Sequence, residues 1–134
     1  MRRSYVDSNV FLRYYRNDDA AQADAADHFF RSAVKGEVEL YCGPPVFFEI
    51  AWVMRSTYKM SNEAILDILE SILSIPNMTI FDRELVKGAI DRARAYGQGY
   101  ADSYIAVVAE KHGLEVATFN RRHFSELKCV LTEL

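Results

Sequence analysis

The chain has 134 residues, 50% of them apolar and 26% charged, with a net charge of −3, the profile of one globular domain. That charge excludes a generic nucleic-acid coat protein with a broad basic surface, but not an enzyme that needs positive charge only beside its reacting phosphate. No apolar run approaches the roughly 18 residues that would cross a bilayer, and the basic start lacks the apolar stretch of a secretory signal. The expected location is therefore the cytoplasm, without membrane contact.

In chain order, Ser4-Tyr5-Val6 is a short apolar run ending at Asp7 and predicts a first strand. Phe11, Leu12, Tyr14 and Tyr15 suggest a short helix. Asp18 or Asp19 then caps an alanine-rich helix from Ala20 to Val34, which Gly36 closes where a left-handed residue is wanted. Residues 37–42 predict a second strand. Pro44 and Pro45 open the next helix, where a missing amide costs nothing, and it runs towards Tyr58. Ser61 caps another, whose stripe Ile65, Ile68, Leu69, Ile72 keeps the helical period. Residues 78–81 predict a third strand and residues 83–96 a helix. Gly97 and Gly99 break the chain before a helix from Tyr100 to His112, terminated by Gly113. Residues 115–118 predict a fourth strand, 120–127 a short helix and 129–131 a fifth strand. Alternating strands and helices with no repeat or linker imply one α/β domain over residues 1–134, built on a parallel sheet covered on both faces. The distant Cys42 and Cys129 sit in no metal-binding spacing and read as buried hydrophobes.

Three carboxylates stand out. In an open parallel sheet, ligands gather outside the carboxyl ends of the strands, and Asp7 directly follows strand one; by itself it could equally be a helix cap. Glu49 lies three residues after Val46 and four before Val53, which places it on a core-facing stripe. Buried there it would need a cation or an arginine such as Arg55 or Arg13. Asp102 stands in the first turn of its helix, where the dipole already favours an anion. The run Ile105-Ala106-Val107-Val108-Ala109 behind it predicts a helix buried nearly all round. Three acids at one end of a sheet repel unless a cation sits among them, and hard oxygen donors suit Mg²⁺ or Mn²⁺.

Four segments together resemble the PIN-domain family, in particular VapC-like toxins of toxin–antitoxin pairs. They are Tyr5-Val6-Asp7-Ser8-Asn9-Val10-Phe11-Leu12, Phe47-Phe48-Glu49-Ile50, Tyr100-Ala101-Asp102-Ser103-Tyr104-Ile105-Ala106 and Ala117-Thr118-Phe119-Asn120-Arg121-Arg122-His123-Phe124. The resemblance spans essentially the whole chain. It implies a three-layer α/β/α sandwich with a short parallel sheet, five-stranded on the pattern above. It also implies endonucleolytic cleavage of RNA with Mg²⁺ or Mn²⁺, and a cognate antitoxin that blocks the site. Asp7 and Asp102 would be direct metal ligands, with Glu49 binding directly or through water, around an ion that activates water for attack on the phosphate. The fourth position departs from the family: Asn120 stands where an aspartate is common, and His123 where a variant pattern puts one. Asn120 offers a carbonyl oxygen to the metal but no charge, so a second metal is in doubt and Mn²⁺ is favoured over Mg²⁺.

Ser8 and Thr118 lie beside strand ends and could bind ligands or substrate, or serve only as turn and cap residues. Arg121 and Arg122 open the short helix beside the site as candidate phosphate contacts, or form an ordinary solvated face. Aromatics make up 13% of the chain. Phe11, Tyr14, Tyr15, Phe29, Phe30, Phe47, Phe48 and Trp52 crowd the first helices, either as a thick core or as an exposed groove for an antitoxin helix and a homodimer seam. A haloacid-dehalogenase-type phosphatase would need an acid where Asn9 stands, and a receiver domain would distribute its acids differently. The remaining rival is a non-catalytic PIN-like module that binds RNA or protein.

Overall fold

The computed structural model describes residues 1–134. Its elements are β1 (Arg2–Tyr5), α1 (Ser8–Arg16), α2 (Ala20–Val34), β2 (Val38–Cys42), α3 (Pro44–Ser56), α4 (Asn62–Leu73), β3 (Met78–Ile80), α5 (Arg83–Tyr96), α6 (Tyr100–His112) and α7 (Arg121–Glu126). Local chemistry sets most of the boundaries. The Asp19 carboxylate accepts from the Gln22 amide at the start of α2, and the Ser61 hydroxyl accepts from the Ala64 amide at the start of α4. Each satisfies an amide that the helix itself cannot. Gly113 ends α6 at φ +66°, a left-handed conformation that side chains disfavour.

The sheet is parallel in the order β1-β2-β3, with Ser4 opposite Leu40 and Leu40 opposite Met78. This is the expected α/β architecture, with one correction: the sheet has three strands, not five. The fourth and fifth predicted strands are reduced to a single parallel bridge between Val116 and Leu131, held by Val116 N–H on the Val130 carbonyl and Thr132 N–H on the Val116 carbonyl. Central strands of a parallel sheet read as continuous apolar runs. Glu115-Val116-Ala117-Thr118 instead buries Val116 alone while Glu115 and Ala117 stay exposed.

Burial divides the apolar residues in two. The main core joins the sheet to α1–α5 through fully buried side chains such as Phe11, Leu40, Phe47, Ile50, Leu69 and Ile90. A small second cluster of Ala106, Ala109, Val116, Phe124 and Leu127 packs the far end of α6 against α7. α6 is not buried all round as its apolar run suggested: Ile105 is 46% exposed. One of its faces lies along α5, where a Cβ on Gly88 would stand 3.2 Å from Val107 Cγ1, so the absence of a side chain there permits the close approach. The aromatic residues are mostly core. Phe11, Phe30 and Phe47 are buried, while Tyr14 and Trp52 remain at the surface. Both cysteines are free, and Cys42 is buried.

Candidate active site

Asp7 follows β1 and occupies the N-cap position of α1 (φ −78°, ψ 158°), yet its side chain accepts no capping hydrogen bond. The next residue, Ser8, is buried, and its hydroxyl donates to Glu49 Oε1 at 2.7 Å. The end of β1 and the middle of α3 are thereby tied together, and two of the three predicted acids adjoin.

Glu49 is not on the core-facing stripe. Val46, Phe47, Ile50 and Met54 fill that side of α3, while Glu49 is solvent-exposed. Nor does it pair with an arginine. Arg13 is engaged by Gln22 and Asp18, and Arg55 by Asn62. Exposure removes the need for a buried counter-charge that the periodicity implied.

Asp102 is half-buried in the first turn of α6, beside α7. Its Oδ2 lies 3.5 Å from His123 Nδ1, and Asn120 Nδ2 lies 2.9 Å from the same ring nitrogen. The two fourth-position residues, Asn120 and His123, therefore gather around Asp102. Thr118 Oγ1 accepts from the Asn120 amide and acts as a turn residue. Arg121 donates to the Thr132 carbonyl, and Arg122 pairs with Glu126 at 3.4 Å while remaining almost fully exposed.

The predicted residues thus form two half-sites, Asp7/Ser8/Glu49 and Asp102/Asn120/His123. Sequence reasoning missed the contact of His123 with Asp102, and also a cavity beside it lined by Trp52, Arg55 and Tyr100. Trp52 and Arg55 follow Glu49 at successive intervals of three on α3, a spacing that puts side chains on neighbouring faces of a helix and could have flagged them. The hydroxyl of Tyr100 is buried without a hydrogen-bond partner, and that burial raises its pKa because the phenolate would be poorly solvated.

The family model for the PIN domain matches residues 4–128. This chain belongs to the PIN domain family. Among solved structures, the chain is similar to one from the crystal structure of VapBC2 from Rickettsia felis bound to a DNA fragment from their promoter. Identity is 16%, coverage is 99% of this chain and 98% of that one, and the TM-score is 0.37. No curated protein matches it in sequence.

PIN domains are generally nucleases that use divalent metal ions. In this PIN domain the donors as placed do not fit such an ion: no three His, Cys, Asp or Glu side chains come together closely enough to hold one, whereas Mg²⁺ and its relatives require several oxygens at about 2 Å. Ser8 donates to Glu49 on one side, and His123 Nδ1 lies 3.5 Å from Asp102 on the other. No helix of this PIN domain is long and apolar enough to cross a membrane.

Proposed function

We propose that this PIN domain is a cytoplasmic endoribonuclease, the toxin of a toxin–antitoxin pair, acting as a homodimer and restrained by a cognate antitoxin protein. The observation that carries the reading is membership of a nuclease family by a chain that keeps acids at Asp7, Glu49 and Asp102. Asp7 supports it further, as an exposed carboxylate engaged in no capping at the carboxyl end of a parallel strand, the end where such sheets bind ligands. Ser8 orients the Glu49 carboxylate, and the His123 ring, 2.9 Å from Asn120 Nδ2, stands beside Asp102.

Mg²⁺ or Mn²⁺ dependence belongs to this reading through the family and the three acids, not through the present spacing of the half-sites. Its test is incubation of the purified chain with total cellular RNA in Mn²⁺, Mg²⁺ or EDTA, beside Asp7→Asn. Discrete fragments that need metal and vanish in the variant are the expected result. The divided acids and the uncharged Asn120 favour one other reading, a PIN-like module that binds RNA or protein without cleaving it. That reading predicts intact RNA in every lane and a melting temperature that metal does not move.

A further inference from the structure

A cavity of about 620 Å³ lies between α3, residues 97–102 and α7, within the size range of ligand pockets. Its wall combines one large π-face with the guanidinium of Arg55, and also carries the carboxylates of Asp102 and Glu126, the latter paired with Arg122. Trp52 is 70% exposed, an unusual position for an indole that has no ring stacked upon it. Arg55 reaches across from the next turn of α3 and lies over Gly99, where a Cβ would stand 3.4 Å from Nη2. Its guanidinium donates to Asn62 Oδ1 at 3.3 Å and makes no ion pair. Arg122, Asp102 and His123 border the same space. An open indole beside a guanidinium without an anion suits a ligand that alternates flat rings with negative charges. A polypeptide segment offers no such regular alternation, and the bases of a duplex are already stacked on one another.

We propose that this cavity takes an unpaired nucleobase of single-stranded RNA, stacked on Trp52, with the adjoining phosphate held by Arg55. Aromatic stacking with guanidinium support is how proteins commonly bind single strands. The proposal rests on the ribonuclease reading above, and it identifies where an unpaired base next to the acids would lodge.

Trp52 is the only tryptophan of the chain, so emission excited at the red edge, where its tyrosines do not absorb, reports on this wall alone. The full chain is titrated in EDTA, where cleavage is suppressed, with a short mixed-sequence single-stranded RNA and with the same RNA as a duplex. The single strand quenches emission to saturation and the duplex does not. By anisotropy of labelled RNA, Trp52→Ala weakens binding about tenfold and Trp52→Phe about threefold or less, the scale of one stacked base. Arg55→Gln weakens binding and flattens its salt dependence. Circular dichroism melts confirm that each variant is folded. Binding of single-stranded RNA with unchanged emission, and with Trp52→Ala binding like the parent, overturns the proposal. So does an emission shift that follows protein concentration alone, which would mean that a second copy covers the indole. Either result leaves the ribonuclease reading standing if metal-dependent, Asp7-dependent fragments are still produced. Absence of both RNA binding and cleavage removes the two together.

Discussion

The carboxylate of Asp7 accepts no hydrogen bond from the first turn of α1, although its backbone occupies the N-cap position. Replacing it with asparagine should therefore leave the melting temperature within about 2 °C of the parent, since surface changes away from such contacts stay within about 0.5 kcal/mol. Cleavage of RNA should fall by at least about 100-fold if the group acts on the reaction, a loss of about 2.7 kcal/mol in transition-state terms. An Asp7→Asn chain that melts early and cleaves normally would reverse the assignment and make Asp7 structural. Cys42 gives a prediction of another kind. Burial pushes its thiol up to about 12, because the thiolate would be poorly solvated. The thiol in the unfolded chain ionises near the ordinary value of 9.0. Between that pH and about 12 the unfolded state therefore binds fewer protons than the native one, and stability falls as pH rises. Urea midpoints measured from pH 8 to 11 should decline, and Cys42→Ala or Cys42→Ser should flatten that decline relative to the parent. At neutral pH Cys42 should react with a thiol reagent only on unfolding.

Among the elements, those with local signals formed where the sequence places them. α4 begins after Ser61, whose hydroxyl lies 3.2 Å from the Ala64 amide, and its apolar stripe places Ile65, Leu69 and Ile72 in the core. Ser61→Ala removes that acceptor and should destabilise the fold by about 1 kcal/mol, while Ser61→Asp should retain most of it. Chemical denaturation with coincident fluorescence and circular dichroism transitions measures this. Equal midpoints for the parent and Ser61→Ala would show that the cap contributes nothing. α3 shows the limit of the same reasoning. Its period correctly picks Val46 and Ile50 as core, but Glu49, only one residue away from the buried stripe, falls on the solvent side. A spacing of three or four residues defines a face about a third of the helix wide, and a residue at its margin is placed by what packs there.

Across the whole molecule, the core is unevenly distributed. The sheet and α1–α5 share one large apolar cluster, whereas α7 and residues 114–134 are anchored by the small group around Val116, Phe124 and Leu127. Segments with few buried apolar contacts open at lower free energy than the core. Amide hydrogens of residues 116–132 should therefore exchange well before those of β2 and α5 in native-state exchange. If Val116 and Thr132 exchange only with global unfolding, the two clusters act as one cooperative unit. The first turn of α6, which carries Asp102, belongs to the large cluster through Tyr100, which packs on Phe48 of α3, and only the far half of α6 through Ala106 and Ala109 reaches the small one.

By itself the sequence determined the α/β class, the helices with clear caps and stripes, three of the strands, and the acids to examine. Those features arise from local propensity and periodicity, which act within a few residues. Only the tertiary structure decided that residues 115–118 and 129–131 meet in a single bridge, that Glu49 faces solvent, and that Asp102 turns to His123. It also decided that Trp52 and Arg55 border a cavity. Each of these depends on which surfaces come together across tens of residues, and burial and side-chain hydrogen bonding settle that competition after the local elements have formed.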